Sequence, residues 1–327
     1  MSLLGLDLGG TKLAAAVFNY NGTILIKESV PLEARTGEEV GKLIRERIIM
    51  YIEEAGHTGN EIDSIGISIP GISNAKTGTV WAPNIPGWKE YPLLSEVRSV
   101  TGDIPVVIDS DRACYILGEV WMGNARGCKD AVFLAVGTGI GAGILVNGEV
   151  LRGSNDIAGA IGWMALSRPF EDKYIDQGCF EYHASGEGIA RVTRDMLKGN
   201  TLYSGILRDR DPETIKAGDL FFAWEKGDSL ATAIIEQCIG FWGMAVANII
   251  SLFNPEKIIM GGGVFGPAKK LLTAIMKEAS RWAQPVSTTQ VTLEVSGLEG
   301  DAGVFGAGYL ALKNLQSLES INNKNVQ

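Results

Sequence analysis

Apolar and polar positions along the chain fall into two similar blocks. In "LGLDLGGTKLAAAVFNYNG" (4–22), apolar runs at 3–8 and 13–18 flank a Gly-Gly-Thr-Lys turn. Asn21-Gly22 then opens a tight turn into a third strand over Thr23–Glu28, predicting a three-strand meander. From Glu38 to Glu54 the spacing becomes helical, with Val40, Leu43, Ile44, Ile48 and Ile52 on one face. A strand over Ser64–Ile69 ends in Pro70-Gly71. There follow a loop, "APNIPGW" (82–88), a short helix at Leu93–Val100, a strand at Ile104–Ile108 and a helix at Asp111–Trp121.

The second block repeats this order. "FLAVGTGIGAGILVNGEV" (133–150) predicts strands at 131–136 and 142–146, an Asn147-Gly148 turn and a third strand starting over Glu149–Arg152. Helices are expected over 183–198, 212–226 and 228–253, then a strand at Lys257–Met260 ending in Gly261-Gly262-Gly263. A helix over 266–282, a strand at Val291–Val295, a helix from Asp301 to Lys313 and a frayed polar tail complete the chain. The expectation is an α/β protein with two lobes of the form β-hairpin-β, helix, β, helix, β. They are placed at 1–112 and 113–300, with the terminal helix, 301–315, returning to the first lobe and a tail at 316–327.

Composition narrows the function classes. Of 327 residues, 46% are hydrophobic and 20% charged, as in ordinary globular proteins. A net charge of −9 argues against a nucleic-acid surface. Four scattered cysteines and two histidines offer no zinc-ligand spacing. The N-terminus lacks a basic segment before its apolar run, so it does not read as a signal peptide. "CIGFWGMAVANIISLF" (238–253) is apolar but shorter than the roughly 20 residues of a membrane span, and a buried helix is expected. Together these predict a cytoplasmic protein with no membrane or nucleic-acid partner.

The candidate chemistry sits in the two glycine turns. A Gly/Thr turn leaves amide groups unpaired and no side chain in an anion's way, which makes a phosphate cradle. One such turn is also what any tight hairpin wants; two in matching places suggest a polyphosphate held from both sides. Asp7 has the chemistry to hold Mg2+ through water beside the phosphates, and Lys12 to neutralise the transferring group. Ala135 at the aligned place allows one metal locus rather than two. As local features alone, Asp7 is equally a turn carboxylate and Lys12 a solvated turn lysine.

Eight segments in order then carry a resemblance: "DLGGTK" (7–12), "GISIPG" (66–71), "APNIPGW" (82–88), "DSDRA" (109–113), "GTGIGAGI" (137–144), "AGAIG" (158–162), "GCFE" (178–181) and "NPEKIIMGGGV" (254–264). From residue 3 to about 315 the chain resembles the ROK family. The resemblance implies duplicated actin-like ATPase (ribonuclease H-like) lobes, an interlobe active-site cleft, and phosphorylation of a hexose or hexose derivative at its 6-hydroxyl by ATP and Mg2+. It also implies a homodimer, as relatives often form. Repressor members carry a helix-turn-helix before this pattern, for which a first strand at residue 3 is expected to leave no room.

Residue by residue, the resemblance assigns Gly9, Gly10, Thr11, Lys12, Gly137, Thr138 and Gly139 to the phosphates. Gly261, Gly262 and Gly263 fall to the adenosine, where a side chain would collide with the nucleotide. Gly71, Asn84, Asp111 and Glu181 fall to the sugar, with Ser110 and Trp163 beside them and Trp88 packed beneath the Asn84 loop. Asp111 takes the hydroxyl proton, although by position alone it serves equally as a helix cap. Asp109 is expected to raise its pKa by like-charge repulsion.

The chain also departs from the family. "AGAIGW" replaces the usual AGEIGH, placing Ala160 and Trp163 where the glutamate and histidine that approach the sugar 1- and 2-hydroxyls would stand. "DKYIDQGCFE" (172–181) keeps only Cys179 of the zinc cysteines, with Asp172 and Tyr174 at two other places. No zinc is expected, and aromatic packing of Trp163, Phe170 and Tyr174 is expected in its stead. Ser110 and Ala113 replace asparagines around the base. Every departure lies on the sugar side or its zinc support, so altered sugar specificity is expected. The alternative is a non-catalytic sugar- or nucleotide-binding regulatory protein.

Overall fold

A computed structural model of the protein describes residues 1–325 and divides into two compact units. Among the described residues, unit 1 comprises 1–127, 152–158 and 301–325; unit 2 comprises 128–151 and 159–300.

Unit 1 opens with β1 (Ser2–Leu8), β2 (Lys12–Phe18) and β3 (Ile24–Pro31), followed by α1 (Gly37–His57) and β4 (Ile62–Ile69). A small ribbon of β5 (Ile72–Ser73) and β6 (Val80–Trp81) leads to α2 (Leu93–Thr101), β7 (Val106–Ser110) and α3 (Asp111–Trp121). The sheet order is β3-β2-β1-β4-β7, antiparallel across the hairpins and parallel from β1 to β7. β1 and β4 are apolar almost throughout because both faces are covered, as parallel central strands require. One face packs on Val40, Leu43, Ile44 and Ile48 of α1, the helical stripe read from the sequence.

Unit 2 repeats the pattern with β8 (Ala131–Val136), β9 (Ile140–Val146) and β10 (Glu149–Val150). Next come α4 (Cys179–Ala184), α5 (Gly186–Gly199), α6 (Ala217–Glu225), α7 (Ser229–Phe253) and β11 (Lys257–Gly261). α8 (Leu272–Ala279), α9 (Pro285–Thr288) and β12 (Thr292–Val295) complete it. Its sheet order, β10-β9-β8-β11-β12, has the same sense at every step as the first. α7 is long and apolar enough to span a membrane, longer than the stretch read from sequence. Leu230, Ile234, Ile235, Phe241, Trp242 and Ile250 of it are nevertheless buried in this unit's core.

The chain ends in α10 (Ala302–Asn325), which packs on β1, β4 and α3. Small residues allow that approach: a side chain at Gly66 would strike the Ala307 carbonyl, and one at Gly306 the Cys114 carbonyl.

Several expected boundaries are corrected. α3 and residues up to Gly127 belong to unit 1, not to a lobe starting at 113, because α3 packs against α10 with Gly118 close to the Ala302 carbonyl. The predicted frayed tail is helical through Asn325, and residues 326 and 327 lie outside the described residues. The helix expected over 183–198 breaks at Ser185, whose extended backbone and hydroxyl cap α5 at the Gly188 amide. The helix expected from 212 starts at Ala217, after a separate 3-10 turn at Pro212–Thr214. That expected over 266–282 is a 3-10 segment followed by α8, which ends at Ala279.

Candidate active site

In unit 1 the turn joining β1 to β2 consists of Gly9, Gly10 and Thr11, closed by a bond from the Gly9 amide to the Lys12 carbonyl at 2.9 Å. The Leu32 amide takes the Thr11 carbonyl at 2.8 Å. Among the described residues, nothing accepts from the Gly10 and Thr11 amides. Neither Gly9 nor Gly10 has a positive φ, and side chains there would meet no neighbour closer than 3.5 Å. The chain itself therefore does not require glycine at either position. An anion approaching the free amides would.

Asp7 stands at the base of this turn, half-buried. Its Oδ1 accepts from Ser68 Oγ at 2.6 Å, and α10 presses Gly303 against the carboxylate. Burial raises its pKa, opposed by the Ser68 bond and by Lys12, with Asp301 adding to the rise. Lys12 is exposed beside it.

The Asn84 loop borders the same turn: a side chain at Gly10 would lie 3.8 Å from Asn84 Cβ. Trp88 holds the loop from below. Its ring is buried and stacked on Tyr91 at 4.4 Å, and its Nε1 donates to the Gly37 carbonyl at 2.9 Å. Asn84 itself is exposed. The Gly71 carbonyl accepts from Arg112 Nη2 at 3.2 Å.

Asp111 is the first residue of α3. The helix cap is Ser110, whose buried hydroxyl accepts from the Ala113 amide at 3.3 Å, so Asp111 is released from that duty. That bond uses the Ser110 hydroxyl as an acceptor only. The pKa of Asp111 is pushed from 3.8 up to about 6, chiefly by burial. Arg112 opposes the rise, the like charge of Asp7 adds to it, and bonds from the Arg112 amide and Tyr115 lower it. The acting like charge is thus Asp7 rather than the expected Asp109, whose carboxylate is engaged by Arg152 at 2.6 Å.

In unit 2 the equivalent turn is Gly137, Thr138 and Gly139, closed by Gly137 N–H to the Gly139 carbonyl at 3.0 Å. The first amides of α5 donate to this turn, Gly186 to the Gly137 carbonyl at 2.7 Å and Glu187 to the Thr138 carbonyl at 3.3 Å. Among the described residues, the Thr138 and Gly139 amides have no acceptor, and a side chain at Gly137 would meet nothing within 4 Å. Glu181 Oε2 accepts the next amide, Ile140, at 2.7 Å. Burial raises the pKa of Glu181, while that bond and Arg191 lower it.

The three glycines after β11 separate into different roles. Gly261 is needed by the chain, because a side chain would enter the Phe133 ring. Gly262 has φ +88 and faces the Val136 carbonyl. Gly263 alone opens onto empty space. The adenosine assignment therefore loses its steric argument at two of the three positions.

On the sugar side, Trp163 is 55% exposed and does not join the expected aromatic packing. Tyr174 carries that packing instead: it is buried, donates to Glu171 Oε1 at 3.0 Å, lies 2.9 Å from His183 Nε2, and meets Tyr182 edge-on. Phe170 touches Tyr174 with its edge and is otherwise exposed. Cys179 is a buried free thiol, Asp172 is exposed, and Ala160 precedes the 3-10 turn Ile161–Trp163.

Sequence reasoning missed Ser68, Gly303, Arg152 and Tyr115. Ser68 lies inside a quoted segment, "GISIPG", and carried a signal; nothing local marked the others.

Comparison with known proteins adds to this geometry. The ROK family matches residues 3–314. A glucokinase of Halalkalibacterium halodurans is 32% identical over 98% of this chain and 97% of its own. The chain belongs to the ROK family. The xylose repressor of Caldicellulosiruptor bescii is similar over nearly the same span, 28% identical over 97% of this chain and 79% of its own. Among solved structures, a ROK family glucokinase from Streptomyces griseus, in complex with glucose and AMPPNP, aligns at TM-score 0.76 and 29% identity. That match covers 96% of this chain and 100% of the other. The two repeated sheets are thus the lobes of the ROK sugar kinase fold.

Proposed function

We propose that this carbohydrate kinase transfers the terminal phosphoryl group of ATP, with Mg2+, to the 6-hydroxyl of a hexose or hexose derivative, with Asp111 as the base. The observation that carries the reading is the pair of open glycine turns, Gly9–Thr11 and Gly137–Gly139, whose free amides the chain does not use. The kinase relatives and the AMPPNP complex of the Streptomyces griseus protein support the nucleotide.

Asp111 accepts the hydroxyl proton as the new O–P bond forms; its pKa near 6 leaves it ionised but basic at neutral pH. In unit 1 the free amides of the Gly9–Thr11 turn, with Lys12, would stabilise charge on phosphoryl oxygens; the Gly137–Gly139 turn of unit 2 offers amides of the same kind. Asp7 fits Mg2+: one carboxylate oxygen is held by Ser68, and this ion commonly takes a single carboxylate, waters and substrate phosphates. When bound, the ion would neutralise phosphate charge. Asn84, with an amide donor and acceptor, suits a vicinal diol.

Ala160 and the exposed Trp163 support an altered sugar preference. A small residue and an indole favour a sugar whose 1- or 2-position is modified or presents an apolar face.

The test is ADP release with ATP and Mg2+ against hexoses, N-acetylhexosamines, anhydro sugars and C2-epimers. Sugar-dependent turnover supports the kinase. Silence across the panel with ATP bound would favour the regulatory reading, to which the repressor relative gives weight.

A further inference from the structure

We infer that Arg152 is a positioning residue for Asp111, acting through Asp109; the inference rests on Asp111 being the base. Asp109, the penultimate residue of β7, is buried at 8% exposure. Both of its carboxylate oxygens are engaged. Oδ1 accepts the Ser110 amide at 2.8 Å, and Oδ2 accepts Arg152 Nε at 2.9 Å and Nη2 at 2.6 Å. Ser110 in turn caps α3 at the Ala113 amide. The peptide unit between Asp109 and Ser110, one residue before Asp111, is therefore held by one carboxylate, and that carboxylate is held by one guanidinium.

Arg152 does not reach Asp109 from a loose loop. Residues 152–158 close on themselves, the Ala158 amide donating to the Arg152 carbonyl at 3.1 Å. Gly153 and Asp156 turn the backbone with φ of +72 and +56, and Asp156 Oδ2 accepts from the Ala75 amide at 3.5 Å. An exposed ion pair would be worth little. Here the carboxylate is buried, so losing its partner leaves an uncompensated charge beside the base. Two N–H groups of a planar fork on one oxygen also fix direction, which a lysine ammonium does not.

A merely structural pair would, when broken, lower the folded fraction and leave the folded enzyme's chemistry intact. A positioning pair would, when broken, lower kcat in enzyme that is still folded. The experiment measures kcat, the KM for ATP and for the sugar, and the folding midpoint. It compares the unmodified chain with Arg152→Ala, Arg152→Lys and Asp111→Asn, each with and without dilute added guanidinium. We expect Arg152→Ala to fold, to lose about 10²-fold in kcat with the KM for ATP within about twofold, and to regain rate with guanidinium. Arg152→Lys should fall between, having the charge without the fork. Unaltered kcat in Arg152→Ala, or a loss accounted for by the unfolded fraction and unmoved by guanidinium, overturns the inference alone. Full activity of Asp111→Asn, or no sugar turnover by the unmodified chain, overturns the reading of the base and this inference with it.

Discussion

Asp7 of β1 faces Ser68 of β4 in parallel register, and the Ser68 hydroxyl bonds the Asp7 carboxylate at 2.6 Å. The second sheet repeats that register with Ala135 opposite Gly261. The duplication thus kept the hairpin and its glycine turn in both units, and placed a carboxylate with its supporting hydroxyl in one only. That asymmetry fits a single metal locus.

The first prediction concerns that carboxylate. A methyl at position 303 would collide with it, so Gly303→Ala must displace Asp7 or α10. We expect the Mg2+ concentration for half-maximal velocity to rise about tenfold or more, as for other losses of support around a metal ligand, with Asp7→Asn showing the same trend. Titration of velocity with Mg2+ checks this; an unmoved midpoint in both variants would remove Asp7 from the metal.

For Asp111→Asn, turnover should fall by about 10²–10⁴-fold while ATP still stabilises the fold. In the unmodified enzyme, kcat/KM should decline below a pH of about 6 as the carboxylate takes up its proton. A profile flat through that range would mean another base.

The same group makes a stability prediction of definite sign. Its folded pKa of about 6 exceeds the usual 3.8, so the folded state favours the protonated form. The associated stability is complete below pH 3.8 and lost as pH rises through about 6. Asp111→Asn should therefore stabilise the protein by up to about 3 kcal/mol at pH 8, and by almost nothing near pH 4. Urea unfolding at the two pH values measures the difference; equal gains at both would contradict burial as the cause.

Gly262 and Gly263 should behave oppositely. Gly262→Ala forces a side chain into a conformation with φ +88 and against the Val136 carbonyl, and should cost about 1–3 kcal/mol of stability. Gly263→Val enters open space and should leave the melting temperature alone while raising the KM for ATP. If Gly263→Val leaves that KM unchanged, the nucleotide lies elsewhere.

Trp163→Ala removes an exposed ring, so stability should change by less than about 0.5 kcal/mol. If the indole lies on the sugar, the order of preference across a sugar panel should change. An unchanged order would make Trp163 a surface residue only.

Much of this was legible in the chain as letters. Apolar runs between turn residues marked both meanders, and helical spacing marked the α1 stripe, because burying both faces of a central strand or one face of a helix is a requirement written locally in the chain. The glycine turns and the ordered segments of the family were equally local.

Tertiary structure alone decided the rest. It bonded Ser68 to Asp7, pressed Gly303 on the same carboxylate from the far end of the chain, and drew Arg152 to Asp109. It assigned the cap to Ser110 and so freed Asp111. It also divided three identical glycines into two that packing requires and one that opens outward, and it left Trp163 exposed while Tyr174 filled the core. Apart from Ser68, which lies within "GISIPG", none of these has a local signature. Each depends on which distant groups meet in three dimensions, and on burial that only the assembled unit creates.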